Sequence, residues 1–111
     1  MGASFYGFVP EGEPVSMAYT AVERYREYLI KMRDTRGVFA DERVLWGIKA
    51  FIDHSDCDGD FSTEYCEYIG IALEELLKSG IVENPVDAAK LTNLCALFKQ
   101  MAVTDGIIMI Y

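Results

Sequence analysis

Ser62-Thr63-Glu64-Tyr65-Cys66-Glu67-Tyr68-Ile69-Gly70-Ile71-Ala72-Leu73-Glu74-Glu75-Leu76-Leu77-Lys78-Ser79-Gly80 is the stretch whose periodicity decides the fold. Tyr65, Ile69, Ala72, Leu73, Leu76 and Leu77 recur at intervals of three and four, which places them on one face of an α-helix. Ser62 offers an N-cap oxygen, Glu64 puts negative charge in the first turn, and Gly80 can take the left-handed conformation that ends a helix. Just downstream, Asn84-Pro85 is a cap followed by proline at the first helical position. It opens a further helix through Val86, Leu91, Leu94, Leu97, Phe98 and Met101.

Upstream, Asp41 offers a cap for a helix whose apolar positions are Val44, Leu45, Ile48, Phe51 and Ile52, with Trp46 off that stripe. A longer helix is expected after Pro14, with Ser16 as its cap, Gly37 as its stop, and Ala18, Ala21, Val22, Tyr25, Tyr28, Leu29 and Met32 as its apolar positions. The two ends of the chain are different in kind. Ser4 to Val9 before Pro10, and Ile107 to Tyr111 after Asp105-Gly106, are short β-prone runs. The expectation is an α+β, mainly α fold: about four helices, with an N-terminal and a C-terminal strand paired as an antiparallel ribbon. Such a ribbon is apolar on both faces, so a second copy of the chain, giving a homodimer, is a candidate cover for the face turned from the helices.

At 111 residues and 51% apolar composition, one domain over residues 1–111 is expected, with a core that needs no disulfide or structural metal. The apolar run at 107–111 is far shorter than the ~20 residues a membrane helix needs, so no membrane association is expected. The first basic residue is Arg24, which leaves no positive segment of the kind that opens a secretory signal. Cys57, Cys66 and Cys95 are odd in number, which suits reduced thiols in a cytoplasm.

The formal charge is −8 and it is unevenly placed: residues 51–111 carry eleven acids and three bases. Nucleic-acid binding is not expected, because phosphate contacts require clustered Lys and Arg. Asp53, Asp56, Asp58, Asp60, Glu64 and Glu67 follow one another with no Lys or Arg between them.

The segment Asp53-His54-Ser55-Asp56-Cys57-Asp58-Gly59-Asp60-Phe61-Ser62-Thr63-Glu64 resembles an EF-hand calcium loop, with oxygen ligands at alternate positions and a central glycine. With Gly59 as that glycine, Asp56 and Asp58 fall on ligand positions, but the first and last ligands become His54 and Tyr65. Shifting by one restores Asp53 and Glu64 at the ends and displaces the glycine. On the calcium reading the ligands are drawn from Asp53, Asp56, Asp58, Asp60 and Glu64. A zinc reading uses His54, Cys57 and Cys66, completed by Asp56 or Asp60. A purely local reading also accounts for much of the segment: Asp and Gly make the turn, Ser62 caps the next helix, and His54 closes the previous one. It leaves the mutual repulsion of six acids to be relieved by a cation or a basic partner. The string His54-Ser55-Asp56-Cys57-Asp58-Gly59 after an apolar helix, with Cys66 nine residues beyond Cys57, is also similar to a segment of small bacterial and phage-type proteins. That resemblance implies a shared scaffold rather than a reaction.

No complete catalytic constellation is visible. The Cys-His candidates, His54 with Cys57 or Cys66, sit among carboxylates that disfavour a thiolate. The expectation is therefore a non-enzymatic acidic domain, without a bound cofactor, that binds another protein or itself, with divalent-cation binding by the loop as the alternative. Tyr19, Trp46 and Tyr68 are the aromatic candidates for an exposed contact surface.

Overall fold

The computed structural model describes residues 2–7, 15–36, 39, 41–53, 60–104 and 106–110. Four helices dominate: α1 (Tyr19–Arg36), α2 (Arg43–Asp53), α3 (Thr63–Ser79) and α4 (Pro85–Val103). The strands are short: β1 (Gly2–Gly7), β2 (Val15–Ala18), β3 (Asp60–Phe61) and β4 (Ile108–Ile110). They pair antiparallel in the order β2-β1-β4-β3, with Phe5 opposite Ile110, Ser4 opposite Ser16 and Phe61 opposite Ile108. β4 thus joins the N-terminal strands to the short strand that leads into α3.

The helix boundaries of the second half follow from local chemistry. Ser62 accepts a hydrogen bond from the Tyr65 amide, and Gly80 takes φ 78° at the other end of α3. Asn84 Oδ1 accepts from the amides of Val86 and Asp87, with Pro85 beside it. Asp41 accepts from the Arg43 amide at 3.0 Å at the start of α2. The start of α1 departs from expectation. Ser16 and Ala18 lie in β2, paired to Ser4 and Gly2, and the helix begins at Tyr19. The strand partner β1 supplies a competing set of backbone hydrogen bonds that the helix-like spacing after Pro14 does not reveal. Gly37, expected to stop α1, lies outside the described residues, as do residue 105 and most of the Asp-rich loop at 54–59.

One continuous core runs through the helices and reaches Phe61 and Ile108 of the sheet. α3 buries Cys66, Ile69, Gly70, Ala72, Leu73 and Leu76, and α4 buries Leu91, Leu94, Cys95, Leu97, Phe98 and Met101. Phe61 meets Phe98 edge to face at 5.3 Å, fixing the sheet end against α4. α2 packs on α3 so closely that a Cβ at Gly47 would lie 2.0 Å from the Tyr68 carbonyl oxygen. Glycine inside a helix costs about 1 kcal/mol of propensity relative to alanine, so this contact is what justifies it. The tight seam has a consequence for what α2 shows to solvent: Trp46, one residue from Gly47, is held at the outer edge of the α2–α3 junction.

Three positions that the spacing had assigned to apolar helical stripes are exposed. Tyr65, expected to be buried, is 51% exposed, because the buried face of α3 is centred on Cys66, one residue further round. Val86 is exposed in the first turn of α4, and Leu45 is exposed at the border of the α2 stripe. Among the described residues, no helix is long and apolar enough to cross a membrane.

Candidate functional site

Trp46 projects from the first turn of α2, 49% exposed, and its ring meets that of Tyr68 on α3 edge to face at 5.2 Å. Tyr68 is half-buried and donates its hydroxyl to Glu64 at 2.7 Å, which holds the ring against Trp46 and raises the phenol above its ordinary pKa. Of the three aromatic candidates, the structure thus brings Trp46 and Tyr68 into contact. Tyr19 is the first residue of α1, and its side chain lies outside what the structure describes.

Beside Trp46 lies an open cleft of about 350 Å³ whose lining includes Ala50, Phe61 and Tyr65. Its rim carries Lys49, Asp53 and Asp60. Lys49 Nζ lies 2.8 Å from Asp53 Oδ2, one helical turn along α2, with the two side chains 80% and 59% exposed. Asp53 raises the lysine's pKa through that hydrogen bond. The cleft is therefore apolar within and ionic at its edge, walled by two half-exposed aromatic rings from two different helices. Sequence spacing assigned Tyr65 to the core and so missed this wall.

The acidic segment is less uncompensated than its sequence implies. Asp53 has Lys49, and Glu67 has Arg43, whose guanidinium lies 3.0 Å away and also grips Asp41 at 2.8 Å. Both bases come from α2, which lies before the segment in sequence and beside α3 in space. Of the eight candidate metal ligands, His54, Asp56, Cys57 and Asp58 lie outside the described residues. The other four, Asp53, Asp60, Glu64 and Cys66, are each engaged within the chain. Among the described residues no three His, Cys, Asp or Glu side chains converge as a cation site.

Cys66 is fully buried, donates its thiol to the Phe61 carbonyl, and has its pKa pushed up to about 12. The cause is burial rather than neighbouring carboxylates. Cys95 is also raised by burial and donates to the Gly70 carbonyl. Either thiol would have to shed a proton into an apolar interior before acting as a ligand or nucleophile, which burial opposes.

A second polar cluster escaped the sequence reading. Asp87, in the first turn of α4, is buried and receives two hydrogen bonds from Arg24 of α1, at 3.0 and 2.8 Å, and one from Tyr28 at 2.8 Å. The Arg24 guanidinium holds its carboxyl below the usual range despite burial. Arg24 and Tyr28, one turn apart on α1 and beside Tyr25 of the core stripe, were the available signal for a buried acid.

No protein-family model matches the chain, and no curated protein or solved structure matches it.

Proposed function

We propose that this chain is a non-catalytic interaction domain, acting in a cytoplasm, that docks a second polypeptide through the α2–α3 face around Trp46 and Tyr65. The observation that carries this reading is the pair of half-exposed aromatic rings flanking an apolar-lined cleft. Burying a large aromatic side chain stabilises by roughly 1.5–3 kcal/mol, so a fold that leaves two of them in water at one place forgoes that stabilisation unless a partner covers them. Tryptophan and tyrosine in a shallow apolar pocket are also the residues on which binding energy concentrates. Tyr68, clamped by Glu64, keeps Trp46 oriented in the free chain, which lowers the ordering cost of docking.

The test is selection of a random peptide library against the wild-type chain, with the Trp46→Ala/Tyr65→Ala double variant as the counter-target. Both side chains are half-exposed and outside the core, so the double variant should lose some stability and still fold, which its melting curve checks. Peptides retained by the wild type and lost from the double variant support the docking face. A library with no such peptide, together with a sedimentation coefficient unchanged up to millimolar chain concentration, overturns it for both a foreign partner and a second copy.

A further inference from the structure

We infer that the occupant of the Trp46–Tyr65 cleft is a basic segment of a partner protein, which places an arginine or lysine side chain between the aromatic walls and its charge on Asp53 and Asp60. This rests on the docking reading above and adds the chemistry of the partner. The cleft combines three features that an acidic, a neutral or a purely apolar occupant would not use together. Its interior offers partly exposed Ala50 to an aliphatic stem, with buried Phe61 as its floor. Its walls, Trp46 and Tyr65, are half-exposed aromatic rings, the side chains to which guanidinium and ammonium groups are attracted. Its rim places carboxylates on two separate elements, Asp53 closing α2 and Asp60 opening β3, both exposed and both already engaged within the chain, so an incoming cation shares or exchanges those contacts.

Asp53 is also the last residue of α2, where the helix's own carbonyls add negative potential. An acid there is unfavourable for the isolated helix and favourable for an incoming cation. Lys49 shows what the rim accepts, since it already rests on Asp53 at 2.8 Å. That contact joins two exposed side chains four residues apart, an arrangement that solvent weakens, so a partner's cation can displace it. At longer range, the excess of eleven acids over three bases in residues 51–111 draws a basic partner toward this half of the chain. The same excess disfavours anionic ligands and anionic membrane surfaces.

Trp46 is the single tryptophan, so its emission reports on the cleft directly. The full chain is titrated with three capped peptides: alternating arginine and alanine, the same with citrulline for arginine, and the same with glutamate for arginine. The expected result is a saturable change in Trp46 emission with the arginine peptide that weakens as salt is added. Asp53→Asn and Asp60→Asn should each weaken binding, while Lys49→Gln, which removes the internal competitor, should tighten it roughly two- to fivefold. A gain of this kind cannot arise from misfolding, and melting curves confirm that each variant folds. Equal binding of the citrulline peptide would overturn the basic-partner inference and leave the docking face standing. Absence of binding by the arginine peptide, or weaker binding by the Lys49→Gln variant, would overturn the inference as well. The library selection then decides separately whether the face docks anything.

Discussion

Two carboxylates with cationic partners lie in different parts of this molecule, and they do opposite things. Asp87 joins α4 to α1: its side chain is 2% exposed, it is gripped at both oxygens by Arg24, and the Tyr28 hydroxyl adds a third bond. Asp53 closes α2 in water, touched at one oxygen by a lysine that is itself 80% exposed. Each is an acid near a base at 2.8 Å, so distance alone does not distinguish them. What separates them is desolvation. A buried carboxylate has no water to fall back on and must keep its partners, whereas an exposed one can exchange one cation for another at little cost. The first is a fastener between elements distant in sequence; the second is a surface group available to a ligand.

The largest effect expected from this contrast is on stability. Asp87→Ala should cost about 3 kcal/mol in urea unfolding, since it removes all three interhelical bonds and leaves the Tyr28 hydroxyl unpaired. A loss no greater than that of a surface substitution would place Asp87 on the same footing as Asp53. A smaller loss, about 1.5 kcal/mol, is expected for Tyr28→Phe, which deletes one hydrogen bond to a charged group and little volume.

Acid titration sharpens the contrast further. The carboxyl of Asp87 is held below its ordinary value in the folded chain, so the stability it supplies is complete above about pH 4 and is lost as pH falls through the depressed folded value. Glu74, lowered chiefly by Lys99, and Asp41, lowered by Arg43, act in the same direction. The wild-type chain should therefore lose more stability between pH 5 and pH 2 than Asp87→Asn, and the difference between the two curves isolates this one group. Parallel curves would mean that Arg24 does not hold the carboxyl in its charged form. The smallest effect is expected for Asp53→Asn, whose urea midpoint at pH 7 should match wild type even as its binding of a basic peptide weakens.

Those parts of the fold governed by neighbours in sequence were legible beforehand. The caps at Ser62, Gly80 and Asn84-Pro85 operate within one helical turn, and the bounds of α3 and α4 follow them. The stripe of α4 from Leu91 to Met101 is buried as its spacing requires. The misreadings share a cause. Ser16 looks like a cap until β1 claims its backbone, and Tyr65 fits a helical stripe until the packing of α3 shifts the buried face to Cys66. Helical spacing defines a set of adjacent columns of side chains, and only the neighbouring elements choose which column is innermost.

The candidate site was half visible in the same way. Trp46 stood off its stripe in the sequence, and it is exposed. Its companion wall Tyr65 was hidden by a spacing that admitted burial; of the compensating bases, Lys49 lies one turn before Asp53 on the same helix, whereas Arg43 reaches Glu67 from a different one, which no local pattern shows. The sequence by itself determined where α3 and α4 start and stop, and how much negative charge the second half carries, since both depend on covalent order and local hydrogen bonding. Only the tertiary structure decided which acids are buried, which are paired and which aromatic rings face water. Those outcomes depend on solvent exclusion by groups brought together from as far apart as Arg24 and Asp87, and no local pattern encodes that exclusion.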